Sequence, residues 1–136
     1  MKILITGQQG FIGRHLKNNI ESFYKDFSVL DFNSSSLNNE VELDNLTSKS
    51  DVIVHLAGIN RSDDKDDIYK KNYNISKLIN DSLVRVSFGG KLIFASSTQE
   101  DNGSDYGNAK KDSRKLFINS SKQLNYKFCG LIIPNV

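Results

Sequence analysis

The feature that most constrains the fold is a glycine loop that joins a short apolar run to a helical pattern near the N-terminus. The run KILIT (Lys2 to Thr6) predicts a buried strand, and GFIGRHLKNNIESFY (Gly10 to Tyr24) predicts an amphipathic helix. Between them, TGQQGFIG places Gly7, Gly10 and Gly13 three residues apart. A strand that turns directly into a helix through spaced glycines is typical of the first unit of an open α/β sheet.

The spacing of these glycines favours a dinucleotide ligand. Gly7 permits the tight turn, Gly10 lets the backbone approach a pyrophosphate, and Gly13 lets the helix pack close to the sheet. The N-terminus of the helix adds free N–H groups and the positive end of its dipole. We therefore predict dinucleotide binding, with a purely structural turn as the alternative. The loop residues assigned to the cofactor are Gly7, Gln9, Gly10, Phe11, Ile12, Gly13 and Arg14.

The rest of the chain continues the alternation of short apolar runs and longer amphipathic segments. The further predicted strands are Phe27–Phe32, Asp51–Gly58, Gly90–Ser97 and Lys127–Ile133, and the further helices are about Asp67–Val86 and Tyr106–Leu124. The polar stretch NSSSLNN predicts a loop. Such alternation implies right-handed crossovers and a parallel sheet. The expected fold is a doubly wound α/β (Rossmann) domain of five strands, spanning residues 1–136.

Composition excludes several functional classes. The 136 residues carry a net charge of +2 with acids scattered among bases, so no nucleic-acid surface is expected. The single cysteine, Cys129, rules out an internal disulfide, and its apolar neighbours predict a buried, inert thiol. Two histidines make no metal centre, so no metal site is predicted. No stretch has the pattern of a signal peptide or a membrane span, which favours the reducing cytoplasm.

Asp31 bears on the choice of cofactor. It ends the second predicted strand, 18 residues after Gly13. A carboxylate there accepts hydrogen bonds from an adenosine ribose and repels a 2′-phosphate, which favours NAD. Arg14 and the serines of Ser34–Ser36 favour NADP instead. The residues leave the choice between NAD and NADP open, and a turn role for Asp31 is the further alternative.

The catalytic candidates lie between the fourth predicted strand and the helix that follows it. Ser97 ends the strand at the carboxyl edge of the sheet, where ligands bind in open α/β folds. Tyr106 and Lys110 are four residues apart and therefore share one helix face. A phenol can exchange a proton with a carbinol oxygen, and a nearby ammonium lowers its otherwise high pKa. We predict a redox site of Ser97, Tyr106 and Lys110, with Thr98 as the reserve hydroxyl.

With these residues placed, the chain resembles the extended short-chain dehydrogenases/reductases, the family of nucleotide-sugar epimerases, dehydratases and reductases. The resemblance covers nearly the whole chain and rests on TGQQGFIG, HLAG, FASSTQ, YGNAK and IPNV, in that order. It implies catalytic roles for Ser97, Tyr106 and Lys110, and a contact of Lys110 with the nicotinamide ribose. The other cofactor contacts that it implies are Asp44 near the adenine, Leu56, Ala57 and Gly58 along the cofactor, and Asn72. His55 of HLAG is interpreted as a satisfied structural histidine.

Within this family, HLAGINR, SSTQEDN, YGNAKK and PNV are similar to the capsule-synthesis reductases of UDP-2-acetamido-2,6-dideoxyhexos-4-uloses. The similarity implies NADPH-dependent reduction of the C4 ketone of a nucleotide-sugar substrate. Ile132 and Ile133 depart from that group, which has an arginine or an aromatic residue before Pro-Asn. The resemblance further implies that the C-terminal substrate-binding region is absent from these residues, and it allows a homodimer through the helix that carries Tyr106.

Two other functions stay open at this point. An epimerase or 4,6-dehydratase would hold NAD tightly, but a dehydratase needs an acidic pair beside the catalytic hydroxyl, where Thr98 and Gln99 stand. A non-catalytic dinucleotide-binding module is the second alternative, because the chain matches the cofactor-binding half of the family.

Overall fold

The computed structural model describes residues 1–61 and 67–134. Within them lie five strands, four α-helices and two 3₁₀ turns, at Ser34–Asn38 and Thr98–Asp101. In chain order the main elements are β1 (Lys2–Thr6), α1 (Phe11–Phe23), β2 (Ser28–Val29), α2 (Glu40–Lys49), β3 (Val52–His55), α3 (Asp67–Arg85), β4 (Lys91–Ser97), α4 (Asp105–Leu124) and β5 (Lys127–Ile133). Asn135 of the IPNV motif lies outside the described residues.

The strands form one parallel sheet in the order β2-β1-β3-β4-β5. Because the chain runs outward in both directions from β1 and β3, the carboxyl ends of these two strands flank the crevice of a doubly wound sheet. The predicted Rossmann architecture is therefore confirmed. Six elements lie within one residue of their predicted bounds: β1, α1, α3, β4, α4 and β5. β3 is shorter than the predicted Asp51–Gly58.

Two apolar layers hold the helices on the sheet. On one face, α2, α3 and α4 pack on the strands through a core that includes Leu4, Leu43, Ile53, Ile79, Leu83, Leu92, Phe94 and Phe117. On the opposite face, α1 packs through Ile20 against Ile3, Ile5 and Val54. Phe23 lies three residues after Ile20, a spacing that predicts a place on the same apolar face of α1, but it is 74% exposed, so that expectation is wrong.

The segment between β2 and β3 differs from the prediction. The sequence reading has no helix there, yet α2 forms over ten residues. Its N-cap is Asn39, whose side chain accepts a hydrogen bond from the Glu42 N–H, and Glu40 and Glu42 complement the helix dipole. β2 is shorter than the predicted Phe27–Phe32 because this edge strand pairs only with β1, over two residue pairs.

β5 is the other edge of the sheet, and it is largely exposed. Leu131 and Ile132 are 45% and 53% exposed. Cys129 is also exposed, so the predicted burial of its thiol is wrong. Phe128 packs on the layer under α4, so alternation along the strand turns Cys129 to the opposite face, which α1 covers only over the other half of the sheet.

Candidate active site

A cleft of about 490 Å³ opens at the carboxyl ends of the strands. It brings the glycine loop between β1 and α1 together with the end of β4 and the start of α4. The lining residues are Gly7, Gly10, Phe11, Ile12, Gly13, Leu56, Gly58, Asn60, Ala95, Ser96, Ser97, Gln99, Tyr106, Lys110, Ile133 and Pro134. Both halves of the predicted site, the glycine loop and the Ser-Tyr-Lys group, thus face one cavity.

The glycine loop is shaped as a cradle for a phosphate. Gly7 has φ of +79°, a conformation that side chains disfavour, and a Cβ on Gly13 would overlap the carbonyl oxygen of Gly7. Gly10 is the N-cap of α1 and has no side chain to occupy the N–H groups of the first turn. These N–H groups therefore stay available to an anion, at the positive end of the helix dipole. The loop fits a dinucleotide pyrophosphate.

A buried polar chain supports this loop from below. His55, at the end of β3, is fully buried, with Nδ1 2.6 Å from the Thr6 hydroxyl oxygen and Nε2 3.2 Å from that of Ser76. The Thr6 hydroxyl in turn accepts a hydrogen bond from the Ala57 N–H, at 3.3 Å. Burial, together with the charge of Lys110, lowers the pKa of His55 to about 3, so the ring is neutral. The prediction of a satisfied structural histidine agrees with this geometry.

Two elements hold the catalytic candidates: β4 carries Ser97, and α4 carries Tyr106 and Lys110. Ser97 ends β4, and its hydroxyl accepts a hydrogen bond from the Gln99 N–H at 3.1 Å, which caps the 3₁₀ turn. Tyr106 is half-buried in the first turn of α4, whose N-cap is Ser104. Lys110 is buried one turn later and donates to the Ala95 carbonyl at 3.0 Å.

The electrostatics of the pair differ from the expectation. Burial lowers the pKa of Lys110 to about 8, and burial also raises the pKa of Tyr106. The Lys110 nitrogen lies 5.6 Å from the centroid of the Tyr106 ring, and its hydrogen bond goes to a backbone carbonyl. The predicted lowering of the Tyr106 pKa by Lys110 is therefore not seen; in this structure Tyr106 is a protonated phenol at neutral pH.

Asp31 and Arg14 lie in a second pocket, on the outer side of the glycine loop. The pocket is lined by Gln8, Gln9, Arg14, Lys17, Asn18, Asp31, Phe32 and Asn33. Gln8 is buried; its amide nitrogen donates to the Leu30 carbonyl, and its amide oxygen accepts from Lys17 at 3.3 Å. The sequence reading missed Gln8 and Lys17, although a glutamine inside the glycine loop and a lysine one turn after Gly13 were visible signals.

Three of the predicted cofactor residues, Asp44, Ala57 and Asn72, are not part of the cleft lining. Asp44 is on α2 and is bound by Arg85 and Ser82 of α3. Ala57 lies behind the turn, where its backbone nitrogen would be 3.0 Å from a Cβ on Gly7. Asn72 is buried, and its side chain bonds both the N–H and the carbonyl of Ile59, which fixes the segment after β3. A Cβ on Gly58 would lie 2.9 Å from Asn72 Oδ1 and 3.3 Å from Lys110 Nζ.

Comparison with known families decides the membership of the chain. Residues 3–136 match the model of the NAD dependent epimerase/dehydratase family. The chain belongs to this family. The membership agrees with the glycine loop, the Ser-Tyr-Lys group and the doubly wound sheet, and it confirms the family that the motifs indicate.

Individual relatives refine the comparison. The chain is 30% identical over 137 residues to the UDP-2-acetamido-2,6-beta-L-arabino-hexul-4-ose reductase of Pseudomonas aeruginosa, covering all of the chain and 36% of that protein. The fold of the chain matches that of the capsular polysaccharide assembling protein CapF of Staphylococcus aureus with a TM-score of 0.79 at 26% identity. The match covers 99% of the chain and 34% of CapF. A complex of RMD from Pseudomonas aeruginosa with NADPH matches with a TM-score of 0.83 at 17% identity, over 98% of the chain and 53% of RMD.

These three proteins are longer than the chain, which spans between about a third and a half of their length. Across the described ranges, 1–61 and 67–134, no helix is long and apolar enough to cross a membrane. Over the same ranges, no group of three or more His, Cys, Asp or Glu side chains is placed to hold a metal ion.

Proposed function

We propose that residues 1–136 form the NAD(P)-binding and proton-donating domain of a reductase that acts on a 4-keto nucleotide sugar in surface polysaccharide synthesis. The observation that carries this proposal is the single cleft in which the glycine loop faces Ser97, Tyr106 and Lys110. The 30% identity to a UDP-sugar 4-ketone reductase supports the substrate class.

The cleft residues suit the pyrophosphate and the nicotinamide half of a dinucleotide. The open N–H groups of α1 suit the pyrophosphate, and Leu56 and Gly58 line the same cavity. Lys110, at the far end, is the residue that would hold the nicotinamide ribose. A bound reduced nicotinamide would supply the hydride that adds to the carbonyl carbon of the sugar.

The side chains of the cleft supply the proton. Since Tyr106 is protonated at neutral pH, its phenol can donate a proton to the ketone oxygen as the carbonyl carbon receives the hydride, which gives a secondary alcohol. The resulting phenolate would lie near the ammonium of Lys110 and be reprotonated from solvent. The Ser97 hydroxyl accepts the Gln99 N–H, so its own hydrogen is free to bond the same ketone oxygen.

The geometry favours a reductase over a dehydratase. Glu100 is the acidic residue nearest in sequence to Ser97, but its carboxylate is buried and bonded to Arg114. The hydrogen bonds from the Arg114 guanidinium lower the pKa of Glu100. A carboxylate that is held in this way does not serve as the acid of a dehydration. An epimerase shares the same cleft and is the second candidate.

The choice of cofactor depends on the second pocket, whose lining includes Arg14, Lys17 and Asp31. A 2′-phosphate would gain from the two cations and be repelled by the carboxylate. We expect Asp31→Asn to raise the affinity for NADPH relative to NADH by about 10-fold, since one close like-charge contact is worth about 1 kcal/mol or more. Titration of nicotinamide fluorescence measures both affinities, and an unchanged ratio would remove Asp31 from the cofactor site.

The central experiment compares binding with turnover. The purified chain is titrated with NADPH and NADH. It is then joined to the C-terminal substrate-binding region that the family resemblance implies and mixed with a UDP-2-acetamido-2,6-dideoxyhexos-4-ulose, and NADPH oxidation is followed at 340 nm. Tyr106→Phe should keep cofactor binding and abolish reduction, while Tyr73→Phe, a tyrosine on α3, is the control. Reduction that survives in Tyr106→Phe refutes the assigned role, and co-purifying oxidised NAD would favour the epimerase.

The setting of the proposed enzyme is the cytoplasm, where nucleotide sugars and reduced dinucleotides are available to it. The single cysteine is compatible with a reducing compartment. A homodimer through the helices that include α4 remains part of the proposal, and sedimentation velocity of the chain with and without NADPH tests it.

A further inference from the structure

A buried carboxylate lies at the centre of the turn that joins the two catalytic elements. The side chain of Glu100, in the 3₁₀ turn after β4, is 7% exposed. Arg114 of α4 donates its Nε to Glu100 Oε1 at 2.8 Å and its Nη2 to Oε2 at 2.6 Å. The Ser96 hydroxyl of β4 donates to the same carboxylate. Glu100 therefore ties the end of β4, the 3₁₀ turn and the third turn of α4 together.

The catalytic side chains are immediate neighbours of these contacts. Ser97 follows Ser96, and Tyr106 precedes Gly107, which packs so closely on the turn that a Cβ there would overlap the Gln99 carbonyl oxygen. Arg114 lies one helical turn after Lys110. The separation of Ser97 from Tyr106 therefore depends on how the 3₁₀ turn lies on α4.

The orientation of the Ser97 hydroxyl depends on the same turn. Its oxygen accepts a hydrogen bond from the Gln99 N–H, so a rotation of the turn would redirect the hydrogen that is available to a ketone oxygen. A guanidinium makes two parallel hydrogen bonds to a carboxylate, and these fix the angle between the carboxylate and the helix that carries the arginine. A single ammonium contact does not fix that angle.

A second ion pair joins the same two elements but differs in burial. Lys111 of α4 contacts Asp101 of the turn at 2.8 Å, and the Asp101 side chain is 85% exposed. Solvent weakens such a pair, so it fixes the turn much less firmly. Burial is the sole cause that shifts the pKa of Tyr106 and of Lys110, so the buried pair acts on them by position rather than by charge.

We propose that Glu100 and Arg114 are positioning residues of the reductase, which hold the 3₁₀ turn on α4 so that the Ser97 and Tyr106 hydroxyls converge on one ketone oxygen. The proposal rests on the proposed function for its kinetic consequence. The geometric part, that this pair sets the place of Tyr106 relative to the turn, is independent of turnover.

The kinetic test uses Glu100→Gln and, as a matched control, Asp101→Asn in the same turn. For Glu100→Gln, kcat for the 4-keto nucleotide sugar should fall about 10- to 100-fold, because misplacement by about 1 Å costs on that order. The Kd for NADPH should stay within about twofold, since the glycine loop is untouched. Asp101→Asn should leave both values unchanged.

A second measurement does not require turnover. The chain is labelled with 3-fluorotyrosine, and the ¹⁹F resonance of Tyr106 is assigned by its loss in Tyr106→Phe. In Glu100→Gln the Tyr106 resonance should shift or broaden, while that of Tyr24, on the exposed end of α1, stays in place. Arg114→Lys keeps the charge and loses the fork, so it should change kcat and the resonance in the same direction.

The outcomes separate the two proposals. If the unmodified chain, joined to the C-terminal substrate-binding region that the family resemblance implies, binds NADPH and reduces no 4-keto nucleotide sugar, the proposed function fails, and the ¹⁹F shift alone decides the positioning role. An unchanged Tyr106 resonance in folded Glu100→Gln, or a kcat within about twofold of the unmodified chain, overturns the positioning role. If Glu100→Gln does not fold, Arg114→Lys carries both measurements, and the same results decide.

Discussion

Two buried titratable residues at the cleft link the chemistry of the site to the stability of the chain: His55 below the glycine loop and Lys110 in the cleft lining. His55 is fully buried, and its pKa is about 3 when folded, against about 6.5 when exposed in an unfolded chain. Between these values the unfolded state binds more protons than the folded state. Stability should therefore decrease as pH falls from about 6.5 towards 3, by up to about 1.4 kcal/mol per pH unit.

The contribution of His55 can be isolated by substitution. In His55→Gln the slope of unfolding free energy against pH in acid should decrease by the equivalent of about one proton, whatever the stability of the variant at pH 7. His15→Gln, which replaces an exposed histidine on α1, is the matched control. Urea denaturation at several pH values from 4 to 7 measures the slope, and parallel slopes in His55→Gln and the unmodified chain would contradict the expectation.

Lys110, like His55, has a lowered pKa in the folded chain, and its burial costs stability at neutral pH. Its pKa falls from 10.5 to about 8 on folding. The cost is on the order of 3 kcal/mol, fully present below pH 8 and relieved as pH rises towards 10.5. Replacement of Lys110 also removes its hydrogen bond to the Ala95 carbonyl, which lowers the expected gain in stability by about 1 kcal/mol. We therefore expect Lys110→Met to unfold at higher urea than the unmodified chain at pH 7.

The matched control for this substitution is Lys111→Met, which removes an exposed lysine from the same helix. It should bring no gain in stability. The gain in stability from Lys110→Met should shrink when the denaturation is repeated near pH 10. If Lys110→Met is less stable than the unmodified chain at pH 7, burial of the Lys110 ammonium does not carry the expected cost. A costly lysine that is kept in place is understandable where it serves a cofactor or a phenolate.

At the scale of elements, the carboxylate of Asp44 joins α2 to α3. It accepts from Arg85 Nε and Nη2, each at 2.8 Å, and from the Ser82 hydroxyl at 2.6 Å. These contacts give Asp44 a structural role beside the adenine contact that the family resemblance implies. Because the pair is about a third exposed, we expect Asp44→Asn to cost about 1 kcal/mol of stability and to leave NADPH affinity unchanged.

The control is Glu40→Gln, since Glu40 approaches the outer side of the same arginine at 3.5 Å and its side chain is 71% exposed. Glu40→Gln should lower the free energy of unfolding very little. A loss of NADPH affinity of about 10-fold in Asp44→Asn, with stability unchanged, would instead favour the adenine role. Urea denaturation and fluorescence titration on the same samples distinguish the two.

The elements that the sequence predicted well are those with long apolar patterns. α3 and α4 carry many apolar side chains at helical spacing, and β1 and β5 are continuous apolar runs. α2 buries little more than Leu43 and Thr47, so apolar periodicity was too weak to indicate it. Its capping signals were present in Asn39 and the acidic first turn, and reading caps before periodicity would have found the helix.

At the scale of the whole molecule, the sequence predicted which residues share the cleft but not which contacts each of them makes. The glycine loop, Ser97, Tyr106 and Lys110 were predictable because parallel strands place their carboxyl ends at one edge. The Glu100–Arg114 pair was not, because its partners are 14 residues apart in a segment whose bends the sequence does not specify. The exposure of Cys129 was missed for a related reason: an apolar run does not reveal whether its strand is covered.

The uncovered strand β5 offers a surface for self-association of the chain. β5 is an edge strand whose Leu131 and Ile132 are 45% and 53% exposed, and such edges pair with other chains unless something blocks them. We expect the chain to self-associate with rising concentration in sedimentation velocity, and Ile132→Lys to shift it towards monomer. Val41→Lys, at an 80% exposed apolar position on α2, should not. Association that Ile132→Lys leaves intact would place the contact elsewhere, and the helices around α4 would then be the first surface to test.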